Sequence, residues 1–192
     1  MTKIKFLGKN NHGFTLAETL VSMVIFLLII LIVGNTFIIN QKITRQSDTK
    51  AELMQNGRIV SDLMAREIRQ AKSIVTVLPA DNSNPAAVAH ELQFQDGHVS
   101  SQIQYIRYYL TGTNLNRQII VYYFDASPNA YVYCNDHDAF GLPKQKILED
   151  KLIGENFSDI DFYGQGLINI NYILTKNNMA VGLTSVIKPR NI

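Results

Sequence analysis

One carboxylate, Glu18, stands at the start of a stretch with no other charge. From Thr19 to Gln41 there is no Asp, Glu, Lys or Arg, and Met23 to Val33 is unbroken apolar sequence. At about 1.5 Å per residue, a helix from Leu20 to Ile39 would extend roughly 30 Å, enough to cross a bilayer. A carboxylate at the mouth of such a helix is costly unless a partner neutralises it. The chemistry Glu18 offers is therefore charge pairing, and it is expected to be functional.

Other reactive residues are scattered. No Gly-rich phosphate loop, paired-His zinc motif or nucleophile elbow is present. His12, His90, His98 and His137 share no helical or hairpin spacing. Cys134-Asn135-Asp136-His137-Asp138 gathers soft and hard ligands, yet thiolate and carboxylate favour different metals, and one short loop seldom closes a zinc site. Asp136, Asp138 and Gly141 echo half a calcium loop, but Phe140 replaces an oxygen ligand and the closing glutamate is missing. A polar turn is the better reading. Tyrosines at 105, 108, 109, 122, 123, 131 and 133 could stack bases. Without a basic frame they read as half-buried sheet residues, and direct nucleic-acid binding is not expected. No catalytic residue, metal or cofactor is assigned, and the chain is expected not to be an enzyme.

These residues need elements to hold them. Lys42 to Lys72 lacks proline and places Ile43, Ala51, Met54, Val60, Leu63, Met64, Ile68 and Ala71 at spacings near three and four. One continuous helix is expected from about Thr15 to about Ile74, with one stripe facing inward. Gly57 weakens it by about 1 kcal/mol relative to Ala and reads as a helix glycine on a crowded face. Pro79 to Pro85 is a loop by composition. Strands are expected at 91–95, 102–110, 118–124, 131–134, 159–163, 167–174 and 179–187, with turns at Asp96-Gly97, around Gly112, at Gly164-Gln165-Gly166 and at Lys176-Asn177-Asn178. No helical periods alternate with these strands. The fold class is therefore α+β, an antiparallel sheet packed on the helix stripe.

The basic leader with Lys3, Lys5, Lys9 and His12, then Gly13-Phe14-Thr15-Leu16-Ala17-Glu18 and a long apolar helix, resembles the type IV prepilin signal. The resemblance implies cleavage between Gly13 and Phe14 by a prepilin peptidase and N-methylation of Phe14. It also implies a pilin-like lollipop whose apolar helix is retained as filament core. Glu18 is then the acid four positions after the new N-terminus. Four residues of helix rise about 6 Å, so a neighbouring parallel helix displaced by one turn would set its Phe14 amine beside Glu18. That pair replaces two isolated charges and makes Glu18 a device for register and recruitment. The segments implied are a cleaved leader at 1–13, a membrane and filament-core helix at 14–41, the soluble half of the helix at 42–78 and a β-rich domain at 79–192. Arg66-Glu67-Ile68-Arg69-Gln70-Ala71, Tyr108-Tyr109-Leu110 with Leu115-Asn116-Arg117, and terminal Pro189-Arg190-Asn191 resemble stretches of PilW-like and J-type minor pseudopilins.

The sequence argues against an ordinary secretory signal, because apolar character resumes after Gly34-Asn35-Thr36 and no small-residue cleavage site follows the core. Lysines on both flanks of the apolar run leave only a weak positive-inside bias. Three of the 18 basic residues lie in the leader, leaving 15 against 16 acidic residues in the remainder, so the basic pI does not indicate nucleic-acid affinity. One cysteine, Cys134, excludes an intrachain disulfide. The resemblance implies a minor pilin or pseudopilin of a type IV pilus, competence pilus or type II secretion pseudopilus, in one reading at the tip, where assembly starts. Its partners would be the prepilin peptidase, other pilin subunits, a membrane assembly platform and, before assembly, the lipid bilayer. It would begin as a single-pass cytoplasmic-membrane protein with its globular domain outside the cytoplasm. A major pilin and a signal-anchored extracellular sensor or adhesive domain are the alternatives.

Overall fold

The structure is a computed structural model describing residues 15–99 and 101–191, in two compact units dividing between Gln46 and Ser47. Helix α1 runs from Leu16 to Gln70 and continues through Gly34 without a break. In the first unit its apolar side chains are all solvent-facing, from Leu20 at 59% to Ile39 at 58% exposure. The few hydroxyls there bond back to the helix: Thr19 Oγ1 donates to the Leu16 carbonyl (2.8 Å), Ser22 Oγ to that of Glu18 (2.7 Å) and Thr36 Oγ1 to that of Ile32 (2.8 Å). Each of these hydroxyls therefore has an acceptor within the helix itself.

In the second unit the rest of α1 buries Leu53, Gly57, Val60, Met64 and Ile68, and Ala71 follows just beyond its end. This row advances mostly by fours, so it passes through Leu53 and Gly57 and leaves Ala51 exposed and Met54 and Leu63 half-buried. Gly57 does lie on a crowded face. A Cβ there would stand 2.2 Å from Leu183 Cδ1.

The helix ends at Gln70, short of the expected Ile74 and of the boundary at 78, because Ser73–Ile74 pairs as β1 with β2 (Leu92–Gln95). The same sheet continues through β3 (Tyr105–Thr111), β4 (Asn114–Phe124) and β5 (Ser127–Val132), all antiparallel. Residues 114–120 of β4 pair with β3 and 122–124 with β5 along one edge, while 115–123 pair with β6 (Lys144–Gly154) along the other. Sequence reasoning left β6 unassigned. Its first nine residues are exposed, so no apolar alternation marks it, and its charges suit an edge strand.

The expected single sheet is in fact two. Asn156 takes a left-handed φ of 68°, its carbonyl accepts the Thr175 N–H (2.7 Å), and the chain starts a second antiparallel sheet. That sheet is β7 (Phe157–Tyr163), β8 (Ile168–Lys176) and β9 (Met179–Ile187). Asn177 and Asn178, at φ 52° and 61°, make the β8–β9 turn, where two consecutive positive φ angles suit the twist of a hairpin. Both sheets direct apolar side chains onto the α1 row: Phe94, Ile106, Tyr108 and Leu115 from the first, Phe157, Ile160, Phe162, Ile170, Tyr172 and Leu174 from the second.

Candidate functional site

The chemistry of the first unit is concentrated at its amino end. Thr15 and Glu18 form a reciprocal cap. Thr15 N–H and Oγ1–H both donate to Glu18 Oε2 (2.8 and 3.0 Å), and Glu18 N–H donates to Thr15 Oγ1 (3.3 Å). This Thr-x-x-Glu box satisfies helix-start donors that have no partner within the helix, and it sets an acid where the helix dipole is positive. Sequence reasoning read Glu18 as a charge for pairing and overlooked the cap, although the three-residue spacing was legible. Both bonds fall on Oε2. Among the described residues Oε1 accepts none, so half of the carboxylate stays open to an outside cation. Gly13 and Phe14, the expected cleavage and methylation positions, lie outside the described residues. Behind Glu18 the helix is long and apolar enough, by length and composition, to cross a membrane.

In the second unit the short motifs scattered through the sequence meet at the carboxyl end of α1. Arg117 from β4 reaches Glu67 on the last turns of the helix, its Nε and Nη2 each 3.0 Å from a carboxylate oxygen. Tyr108 from β3 donates its phenol hydrogen to Glu67 Oε2, and Glu149 of β6 stands 3.4 Å from Arg117 Nη1. Burial works against the Arg117 charge, but the Glu67 bonds outweigh it and raise its affinity for the proton. Burial, then the Glu67 carboxylate, push the Tyr108 phenol well above its ordinary range. The terminal segment closes the same end: Arg190 N–H donates to the Arg69 carbonyl (3.0 Å) and Asn191 Nδ2 approaches that of Gln70 (3.4 Å). These bonds occupy helix-end carbonyls that otherwise lack partners.

The 134–141 loop is a polar turn, as its composition suggested. Asp136 Oδ2 accepts the Tyr133 N–H (2.9 Å) and Asp138 Oδ1 accepts that of Phe140 (2.7 Å), so both carboxylates are turned onto their own backbone. Among the tyrosines, 105 and 108 are buried, Tyr105 meets Tyr122 edge-on at 5.2 Å, and Tyr133 is exposed. No continuous row of exposed rings forms on the described residues. His90, Asp159 and Asp161 do converge, with one ligand atom from each within 4.8 Å of the others. Sequence reasoning missed that grouping, because His90 lies about seventy positions from its partners and carries no local signal.

Residues 8–34 match the family model of the prokaryotic N-terminal methylation motif. That interval includes the glycine, aromatic and acid at 13, 14 and 18 and most of the apolar run. No curated protein matches the chain.

Proposed function

We propose, from the premise that the chain is a type IV prepilin-like protein, that it serves as a structural minor pilin or pseudopilin subunit and not as an enzyme. The matched motif implies processing by a prepilin peptidase and assembly with other pilins in general. The protein is membrane-anchored with a C-terminal globular domain. In our reading the anchor lies in the cytoplasmic membrane with that domain outside the cytoplasm. Cleavage falls between Gly13 and Phe14, and the freed Phe14 amine is methylated.

One observation carries this reading: among the described residues, the apolar side chains behind Glu18, from Leu20 to Ile39, are exposed. In lipid that surface gains little by self-association, so packing and the Glu18–amine pair direct recruitment. Once drawn into a filament surrounded by water, burial of the same side chains becomes the dominant stabilising term. The minor and initiating role, with contacts to unlike subunits and the assembly platform, rests on the resemblance of residues 66–71, 108–110, 115–117 and 189–191 to stretches of PilW-like and J-type minor pseudopilins.

Intact mass and amino-terminal sequencing of the protein extracted from membranes test the class. Protein beginning at N-methylated Phe14 is expected. Recovery with Met1 and the leader lysines retained, or with residues 14–41 removed, overturns the assembly reading. Abundance in sheared filaments relative to the other subunits distinguishes a minor from a major role.

A further inference from the structure

We propose that His90, Asp159 and Asp161 form a site for a divalent transition cation of the zinc type, fastening the segment before β2 to the outer face of β7. The inference goes beyond the assembly reading and does not depend on it.

The site is built by strand geometry. Ile160 and Phe162 of β7 are fully buried, so the alternation of the strand turns Asp159 and Asp161 together to the opposite face. A bridge between Ala89 and Phe162, with N–H···O distances of 2.8 and 3.3 Å, lays the preceding segment antiparallel to β7 and delivers His90 to that face. His90 Nδ1 then lies 3.1 Å from Asp161 Oδ1, 3.6 Å from Asp159 Oδ1 and 3.1 Å from the Ile160 carbonyl oxygen. Ligands about 2.0–2.1 Å from a tetrahedral zinc sit roughly 3.3 Å from one another, so the two nitrogen-to-carboxylate distances are already near those of a bound ion.

Protons do not suffice here. Nδ1 carries at most one hydrogen, and three oxygens face it, of which Asp159 Oδ1 also accepts the Ile160 N–H (2.9 Å). That hydrogen has hydrogen-bond geometry toward the Ile160 carbonyl, while Asp161 Oδ1 is buried without a hydrogen-bond donor despite its closeness to the ring. Directly across the β7–β8 register, Asn171 faces Asp161. Its Nδ2 donates to Tyr163 Oη (3.2 Å), and its Oδ1 is likewise buried without a partner. Two orphaned oxygens on adjacent strands beside an imidazole nitrogen and a second carboxylate make a donor-poor pocket, and such groups ordinarily find a partner. Burial, followed by the Asp159 charge, pushes the Asp161 carboxyl above its ordinary value, whereas His90 works in the opposite direction without cancelling it. A cation would reverse that. Imidazole nitrogen with few carboxylates suits zinc better than calcium, which takes six to eight oxygens, or magnesium, which keeps a full octahedron. Asn171 Oδ1 or water would complete the fourth position.

The test is calorimetric titration of the full-length protein in detergent micelles, stripped with chelator, using zinc, calcium or magnesium chloride, with thermal melts alongside. One zinc per chain is expected, with a melting temperature that rises with zinc. His90→Ala, at a mostly exposed side chain, should weaken binding about tenfold or more and abolish the thermal rise, and Asp161→Asn should do the same. Cys134→Ser and His137→Ala should leave both readouts unchanged. No saturable zinc binding overturns the site, as does binding indifferent to His90→Ala, or calcium or magnesium binding as tightly as zinc.

Discussion

Glu18 has two roles that one substitution confounds and two substitutions separate. Glutamine at this position keeps an oxygen for the Thr15 donors and so keeps the helix cap, but it carries no charge. Glu18→Gln should therefore lower incorporation into filaments nearly as much as Glu18→Ala, while leader cleavage stays largely intact in both. If Glu18→Gln incorporates normally, the cap and not the charge is what assembly requires, as quantification of sheared filaments against membrane-held subunit would show. At the other end of α1, Arg117 and Glu67 are only 15% and 17% exposed. Arg117→Leu strands the Glu67 carboxylate with Tyr108 alone, and by analogy with broken buried pairs it should cost about 3 kcal/mol in urea unfolding. The Tyr108 phenol gives a pH signature. Its folded-state pKa lies above the ordinary value of 10.0, so its contribution is complete below that pH and is lost as pH rises beyond it. Each pH unit in which only the unfolded chain ionises weakens folding by about 1.4 kcal/mol. Tyr108→Phe should flatten the alkaline loss of stability by up to that slope, measured in urea melts above about pH 10.

At the scale of elements, two glycines ask different things of their neighbours. A Cβ on Gly97 would lie 1.8 Å from the Gln70 carbonyl oxygen, which is backbone at the helix end and cannot turn aside. Gly97→Ala should therefore separate the β2–β3 connection from the end of α1, at a cost of about 3 kcal/mol or more in thermal unfolding. Gly57→Ala meets Leu183 Cδ1, the mobile tip of a side chain, and gains about 1 kcal/mol of helix propensity, so its net effect should be much smaller. The same comparison explains which elements could be read in advance. β9 was legible from Met179 to Ile187 because a two-asparagine turn and an alternating run bound it. β6 was not, since Lys144, Lys146, Glu149, Asp150 and Lys151 lie on a strand that buries almost nothing and is held by backbone bonds to β4. Pro128 hid the start of β5 in the same way, because proline is tolerated only at such an edge.

For the whole molecule, the division between Gln46 and Ser47 coincides with a change in what each unit buries. All of the clustered core residues lie beyond it, and the described large apolar residues before it are exposed. A fragment beginning at Ser47 should stay monomeric in water without detergent and unfold cooperatively, whereas the full chain should require detergent or lipid. Sedimentation with and without detergent, and a thermal melt of the fragment, check both. Aggregation of the fragment would mean that its core depends on residues before Ser47.

What the sequence determined alone was local and periodic. The Thr15-to-Glu18 spacing, the uncharged run behind it and the alternation in β2, β3, β8 and β9 each follow from neighbours within a few positions. The tertiary structure decided which distant residues meet. Glu67 acquires Arg117 across fifty positions, His90 acquires Asp159 and Asp161 across about seventy, and the left-handed Asn156 splits one expected sheet into two. Side-chain pairing across a folded core depends on strand register and helix rotation. Both are fixed only when all the apolar faces are buried together.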